Sequence, residues 1–312
     1  MIHCCVGITA YNEEANIGRL LSALLTQHTK SVKIEEIIVV ASGCTDRTEE
    51  IVKEFAARDN RIRLLSQAQR EGKASAVNLL MHHVNSEVVV LESADTVPLA
   101  DTIEALVSPL SNPQMGMVGG HPVPTNTTGH FMGYGVHLLW ELHHQVSLRY
   151  PKMGELIAFR NIFRQIPYDT AVDEASIEPL IIGQGLRLHY APEAIVRNKG
   201  PETVSDFLKQ RRRIFSGHLY VKDRLGYKVS TLNGLRIAWL FLKNSGIALK
   251  QLDWRYFLWG PLIGLLEVFV RMMATYDYVI YKRKPYAWPV AESTKELPEV
   301  SELATTGWDQ RR

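Results

Sequence analysis

The chain has 312 residues, long enough for one large α/β domain with additions or for two domains, with ample length to bury a core. Lys and Arg total 35 against 33 Asp and Glu, a formal net charge of +2 that argues against wholesale nucleic-acid binding, although Lys209 to Arg213 is a dense basic cluster. Three cysteines, Cys4, Cys5 and Cys44, lack metal-ligand spacing and fit a reduced, cytosolic setting better than a disulfide framework.

Ile2 to Ala10 reads as a strand, too short and without the basic leader of a signal peptide. Tyr11-Asn12-Glu13-Glu14 breaks it before an amphipathic helix, Ala15 to Gln27, with Ile17, Leu20, Leu21 and Leu24 on one face. Glu36 to Val40 is the second strand. It ends in ASGCTD, where Gly43 permits a tight turn and Thr45 or Asp46 can cap a helix through Phe55. Ile62 to Leu65 is the third strand, and a helix from Ala74 to His83 follows Gly72-Lys73.

Val88 to Leu91 is a continuous aliphatic run, the pattern of a central strand covered on both faces of a parallel sheet. Its carboxyl end carries Ser93, Ala94 and Asp95, where ligands of open α/β sheets collect, so Asp95 is placed to meet a divalent ion and a diphosphate. Asp95 and Pro98 are equally suited to the turn and cap of a helix from Leu99 to Leu110. Strands alternating with helices in this way predict βαβ units and a mainly parallel α/β sheet with right-handed crossovers. Neither GxGxxG nor GxxxxGK[ST] occurs.

Further strands are expected at Met117 to Pro122 and Ile157 to Arg160, with edge strands at Leu186 to Tyr190 and Ala194 to Val196. Helices are expected at Phe131 to Leu148, Asp173 to Ile182 and Thr203 to Val221. His137, His143, His144 and His218 lack tight ligand spacing and read as packing or acceptor-site groups.

Leu232 to Leu252 and Trp254 to Ile280 hold long apolar stretches, but Glu267 and Arg271 interrupt the second. No run reaches the ~18 uninterrupted apolar residues of a confident membrane span. Membrane-surface helices or one imperfect span are expected, with Trp254, Tyr256 and Trp259 at the interface and Lys282-Arg283-Lys284 facing anionic headgroups. An oligomer interface or a core helix pair is the other reading. From Pro285 the chain is polar and reads as a loose tail.

Four groups share one rim of such a sheet: Thr9 to Glu13, Gly43 to Asp46, Gly72-Lys73 and Asp95. Beyond them lie the acidic pair Asp173-Glu174 and the run Gln210-Arg211-Arg212-Arg213-Ile214. A metal-bound carboxylate, a separate carboxylate base and arginines are what transfer from a diphosphate leaving group requires.

In this order the motifs resemble glycosyltransferase family 2, the inverting enzymes of the GT-A fold, over roughly residues 2 to 219. The resemblance rests on VGITAYNEEANIGRLLSALL, IIVVASGCTDRTEEIV, REGKASAVN, SADTVP in place of DxD, VDEASIEPLIIGQG in place of the ED pair, and QRRRI in place of QxxRW. It implies that Thr9, Tyr11 and Glu13 frame the base and ribose, with Ser42, Lys73 and Ser93 also at the nucleotide. It implies Mg2+ or Mn2+ on Asp95, Glu174 as catalytic base with Asp173 before it, and Gln210, Arg212 and Arg213 toward the diphosphate and acceptor.

Three departures stand out. Ala41-Ser42 replace the family's aspartates after the second strand, Ser93 replaces the first DxD aspartate with Glu92 beside it as a candidate substitute, and Ile214 stands where Trp is common.

The expected organisation is a GT-A domain over 1–225, membrane-associating or oligomerising helices over 226–284, and a polar tail over 285–312. The expected activity is metal-dependent transfer of a hexosyl group from a UDP- or GDP-sugar to a lipid-linked or glycan acceptor at the cytoplasmic face of the membrane. A degenerate domain acting as sugar-nucleotide sensor or scaffold is the alternative. A nucleotidyltransferase would need a Gly-rich, basic loop after the first strand, which this chain lacks.

Overall fold

A computed structural model describes residues 1–280, 292–295 and 297. The basic edge expected at Lys282-Arg283-Lys284 lies outside the described residues, as does the tail expected over 285–312 apart from 292–295 and 297.

The N-terminal half alternates strands and helices: β1 (Ile2–Ala10), α1 (Ile17–Leu25), β2 (Val32–Ser42), α2 (Thr48–Ala56), β3 (Ile62–Gln67), α3 (Lys73–His83) and β4 (Val88–Ser93). Then come β5 (Thr96–Pro98), α4 (Thr102–Val107), β6 (Met115–Pro124), α5 (Phe131–Ser147), β7 (Leu156–Arg160), α6 (Asp173–Gly183) and β8 (Arg187–Asn198). One eight-stranded sheet has the order β3-β2-β1-β4-β7-β6-β8-β5. β1 to β4 are mutually parallel, β7 runs against β4 and β6, and β5 runs against β8.

The chain leaves β1 to one side to build β2 and β3, then returns on the other side as β4. Order reverses between β1 and β4, and the loops at their carboxyl ends part to open a crevice. β4 is central and buried on both faces, as its unbroken aliphatic run demands. Val88 and Val90 pack with α1 and α4 on one face, while Val89 and Leu91 pack with α3 and α6 on the other. Gly7 lets α3 approach β1, since a β-carbon there would meet Leu80 Cδ2 at 2.1 Å. The Cys4 thiol is buried against a β-sheet wall, and burial followed by the charge of Glu35 pushes its pKa up to about 12, so it is an inert packing group.

Besides shifted ends such as those of β2, which starts at Val32, and α7, which runs to Leu225, three differences from expectation have a local cause. The helix expected from Leu99 is shorter, because Thr96–Pro98 is drawn out as a strand on β8 and Pro109 turns the end into a 3-10 turn, Ser108–Ser111. The two edge strands are instead one interior strand, β8, flanked by β6 and β5. Residues 191–194 bow out of its pairing with β6, between Gly119↔Tyr190 and His121↔Ile195, which accommodates Pro192 with no ladder N–H to offer. Finally, α1 starts two residues late because Glu13 donates its backbone N–H to Thr48 Oγ1 at 2.8 Å and Asn12 takes a left-handed φ of 52°.

Three long helices follow β8: α7 (Val204–Leu225), α8 (Gly234–Lys250) and α9 (Trp254–Val279). Thr203 caps α7 by accepting from Asp206 N at 3.1 Å, and Gly226 ends it at φ 65°. Along α9 the charged side chains turn inward. Glu267 and Asp277 pair with Arg211 and Arg212 of α7, while Leu262, Leu265, Val268, Phe269 and Met272 face outward and exposed.

Candidate active site

A cleft of ≈ 270 Å³ opens where the carboxyl ends of β1, β2 and β4 meet the starts of α3 and α6 and the middle of α7. Thr9, Tyr11, Glu13, Ser42, Lys73, Ser93, Asp95, Asp173, Glu174, Gln210 and Arg213 all line it, so residues more than 200 positions apart converge on one volume. Arg212 does not. Successive residues on a helix are turned by about 100°, and α7 sends Arg213 into the cleft while Arg212 points the other way. There Arg212 forms a two-point ion pair with the buried Asp277, its Nη2 lying 2.6 Å from Oδ1. The expectation that Arg212 meets the diphosphate is therefore corrected. Arg211 is likewise committed to Glu267, with Nη2 to Oε2 at 3.0 Å.

Backbone and side chains of the first two loops are stitched together. Thr45 N donates to Asn12 Oδ1 at 2.8 Å and Glu14 N to Asp46 Oδ2 at 3.0 Å, which fixes Tyr11 and Glu13 at the rim. Ser42 is buried and its hydroxyl accepts from Glu71 N at 3.3 Å. Gly43, at φ 66°, passes under the next loop, where a β-carbon would meet Arg70 N at 2.4 Å. That loop sets the Arg70 guanidinium 4.3 Å from the centre of the Tyr11 ring, a stack that holds the ring's orientation.

Lys73 stands between the Ser93–Asp95 turn and the acidic pair: its ammonium lies 3.1 Å from Asp173 Oδ1 and donates to Ser93 Oγ at 3.2 Å. Burial works to raise the Asp173 carboxyl, but the Lys73 charge and a hydrogen bond shared with Glu174 bring it below its usual value. Glu174 shifts the opposite way, raised by burial and then by the neighbouring Asp173 charge. Adjacent carboxyls whose proton affinities are driven apart are a feature shared by acid–base sites and by structural ion-pair networks.

Glu155, just before β7, also lines the cleft and was not singled out by sequence. Its carboxyl is raised by burial, then by the charge of Asp95, with Lys73 and Arg213 opposing. Glu13 is raised by burial and by Asp95 as well. Glu92 does not substitute for the missing acid at Ser93. It is buried on the far side of the turn, where Thr96 Oγ1 donates to it at 3.0 Å, and burial pushes its pKa up to about 8.

Carboxylate and hydroxyl oxygens at Asp95 and Ser93 are the hard donors that Mg2+ and Mn2+ take, and such ions are commonly held by one or two carboxylates plus substrate phosphates. Among the described residues no cluster of three His, Cys, Asp or Glu forms a complete cation cage. The residues thus fit an ion whose remaining ligands come from a bound diphosphate. His137, His143, His144 and His218 are buried away from Asp95 as packing groups, and burial lowers the pKa of His143 and His218.

Residues 5–173, over half of the chain, match the model of the family described as Glycosyl transferase family 2. The chain belongs to this family. Glycosyltransferase AglE of Haloferax volcanii is 28% identical over 114 residues, 36% of this chain and 37% of that protein. Dolichyl-phosphate beta-glucosyltransferase ALG5C of Trichomonas vaginalis is 25% identical over 213 residues, 62% of this chain and 63% of that protein. The matches thus span between about a third and two thirds of those curated relatives' lengths.

Among solved structures, the mannosyltransferase PcManGT of Pyrobaculum calidifontis, in complex with GDP-Man and Mn2+, superposes with a TM-score of 0.60 at 20% identity. The superposition covers 90% of this chain and 88% of that one. At that identity the likeness speaks for a shared GT-A fold. As a family 2 glycosyltransferase the chain keeps its charged groups where the fold brings β1, β4 and α6 together. It departs at Ser93, and the acids whose charges interact with Asp95 are Glu155 and Glu13, while Glu92 does not line the cleft.

Proposed function

We propose that this glycosyltransferase moves a hexosyl group, with inversion, from a UDP- or GDP-sugar to a lipid-linked acceptor presented at a membrane surface. The observation that carries the reading is the convergence of Asp95, Glu174 and Arg213, from three distant segments, on one cleft. A glycan acceptor is the other class compatible with this site.

The nucleoside end lies at Thr9, Tyr11 and Glu13, and the diphosphate runs past Asp95 and Lys73 toward Gln210 and Arg213. A divalent ion on Asp95, with Ser93 and Glu155 beside it, would supply charge stabilisation for the departing diphosphate. Arg213 can grip phosphate oxygens through two N–H groups, and Gln210 donates alongside it. In a single displacement the acceptor oxygen bonds to the anomeric carbon as the bond to the diphosphate oxygen breaks. The proton of an acceptor hydroxyl passes to the Asp173–Glu174 pair, and a phosphate acceptor, already ionised, needs no such transfer. Lys73 keeps Asp173 ionised so that the pair carries negative charge at neutral pH.

The outer surface of α8 and α9 supports a lipid-facing role. Leu242, Ile247, Trp254, Leu258 and Leu265 are exposed with no protein cover among the described residues, and α9 is long and apolar enough to cross a membrane by length and composition. Because α9 packs its charges onto α7, in-plane seating with the apolar face down suits this arrangement, on the cytoplasmic side where sugar nucleotides are made. Burial of the same face between two copies of the chain would appear as a dimer that does not float with vesicles.

Radiolabelled UDP- and GDP-hexoses incubated with membrane extract test the reading. Asp95→Ala is expected to lower kcat/KM by about 10² to 10³, and Glu174→Gln to lower kcat by about 10² or more. Turnover unaffected by Asp95→Ala sinks the reading. The incomplete acidic set at Ser93 favours one second reading, a sensor that binds nucleotide without turnover, and calorimetry with no product formed would identify it.

A further inference from the structure

The described residues of the C-terminal segment do not lie apart from the site. Residues 293–295 and 297 lie at its mouth, between the start of α7 and the start of α1. At one end Ser293 N donates to Asp206 Oδ2 at 3.2 Å and Glu202 N to Ser293 Oγ at 3.2 Å. At the other, Arg19 Nη1 donates to the Leu297 carbonyl at 2.9 Å, Asn16 Nδ2 donates to the Lys295 carbonyl, and Leu297 is buried.

Between these anchors the Lys295 ammonium reaches the turn after β1. It donates to the carbonyl of Tyr11 at 2.6 Å, the carbonyl of Asn12 at 3.0 Å and Glu13 Oε1 at 2.8 Å. An ammonium has three protons, and here three acceptors take them, so none remains for a diphosphate. Lys295 also lies 5.4 Å from the centre of the Tyr11 ring, and both it and Thr294 line the cleft. The turn it holds is the one with Asn12 at φ 52°, a conformation non-glycine residues adopt at a cost of about 1 kcal/mol or more unless the surroundings fix it.

We propose that Lys295 is a positioning residue for the sugar-nucleotide donor: the strap formed by residues 293–295 and 297 braces the Tyr11–Glu13 turn in its nucleoside-binding shape and ties it to α7, which carries Gln210 and Arg213. The inference rests on the glycosyltransferase reading of the cleft and extends it to a segment that follows the apolar helices. A brace, not a plug, is what the bonding pattern describes. The ammonium is spent on the backbone carbonyls of Tyr11 and Asn12 and on the Glu13 carboxylate, all of them groups of the turn itself.

The test uses the full chain in detergent, with UDP and GDP in the presence of Mg2+ or Mn2+ as probes. Lys295→Met keeps the apolar stem and removes the ammonium. The expected result is an approximately tenfold weaker nucleotide Kd, about 1.4 kcal/mol, a parallel rise in donor KM, kcat within about twofold, and faster hydrogen exchange at amides 12–16 in the nucleotide-free protein. A role in folding alone would leave the split between KM and kcat unmoved. Should Lys295→Met prove unstable, Lys295→Gln is read by the same measurements.

Unchanged or tighter nucleotide binding by the variant overturns the inference, tighter binding meaning that the strap blocks the cleft. A fall in kcat with Kd unchanged also overturns it. A wild-type chain that binds neither nucleotide is a different failure, which removes the donor reading of the cleft and the strap's role with it.

Discussion

The sheet around β1 and β4 and the helix pair α8–α9 are built by opposite rules. In the sheet, apolar side chains are buried on both faces and charges gather at the carboxyl rim. In α9 the charges are buried against α7 and the apolar side chains face out. The first region thus hides its apolar side chains from water, while the second exposes, among the described residues, an apolar face of the kind that marks an interaction surface. The cleft sits at the boundary between the two, with α7 contributing to both: Arg213 faces the site, while Arg211 and Arg212 hold α9.

Swapping one residue type between the regions gives the largest contrast. Leu20 of α1 is fully buried in the sheet's core, so Leu20→Ala is expected to cost about 2–5 kcal/mol of unfolding free energy in denaturant titration. A cost below about 1 kcal/mol would mean that the α1 face is loosely packed.

The inward charges of α9 come next. Asp277 is 2% exposed and faces a half-buried Arg212, so Asp277→Leu strands a guanidinium and is expected to cost about 2–3 kcal/mol in detergent-solubilised protein. The double variant Arg212→Met/Asp277→Leu should recover most of that loss, since an apolar pair of similar volume is a fair replacement for a buried ion pair. If the double variant is as unstable as the single, the pair is not what holds α9 to α7. Nucleotide affinity should be little changed in the double variant, because Arg212 lies outside the cleft.

Glu92 brings a pH test to the sheet region. Its folded-state pKa, raised to about 8 by burial, exceeds its unfolded value, so the folded state holds the extra proton. Its contribution to stability is therefore full below the unfolded carboxyl pKa and is lost as pH rises through about 8. Between pH 6 and 8 the wild type should lose about 2 kcal/mol that Glu92→Gln does not lose. Parallel pH profiles for the two proteins would refute the buried, protonated state.

How much of this was legible before the fold was known depended on whether the signal was local. The strand Val88 to Leu91 announces itself because continuous aliphatic residues have one stable place, and Asp95 follows from its position at that strand's end. Glu174 and Gln210 stood out only through spaced motifs, and it took the fold to bring them to Asp95. Arg212 and Arg213 are neighbours in sequence, and nothing local decides which faces the cleft. The answer lies in Asp277, 65 residues on.

Glu155 and Lys295 gave no signal of their own. One is a lone acid before a short strand, and the other lies 282 residues from the Glu13 carboxylate it holds, in a stretch whose polar composition reads as tail. The single strand β8 was obscured by Pro192, which reads as a break until its bulge opposite β6 is seen.

The smallest expected effect is the sharpest test of the inside-out region. Leu265 of α9 is 66% exposed, so in detergent Leu265→Ala should change unfolding free energy by no more than about 0.5 kcal/mol. Against lipid the same change removes apolar area from a surface designed to be covered. At about 25 cal/mol per Å² the loss is about 1–2 kcal/mol, a fall of roughly tenfold in binding to vesicles measured by flotation. Leu258→Ala on the same outward face should add to it, and Leu20→Ala should leave vesicle binding of the folded fraction unchanged. If Leu265→Ala instead destabilises the protein and leaves flotation intact, the apolar face is covered by protein. The acceptor would then have to reach the cleft without the bilayer being held against α9.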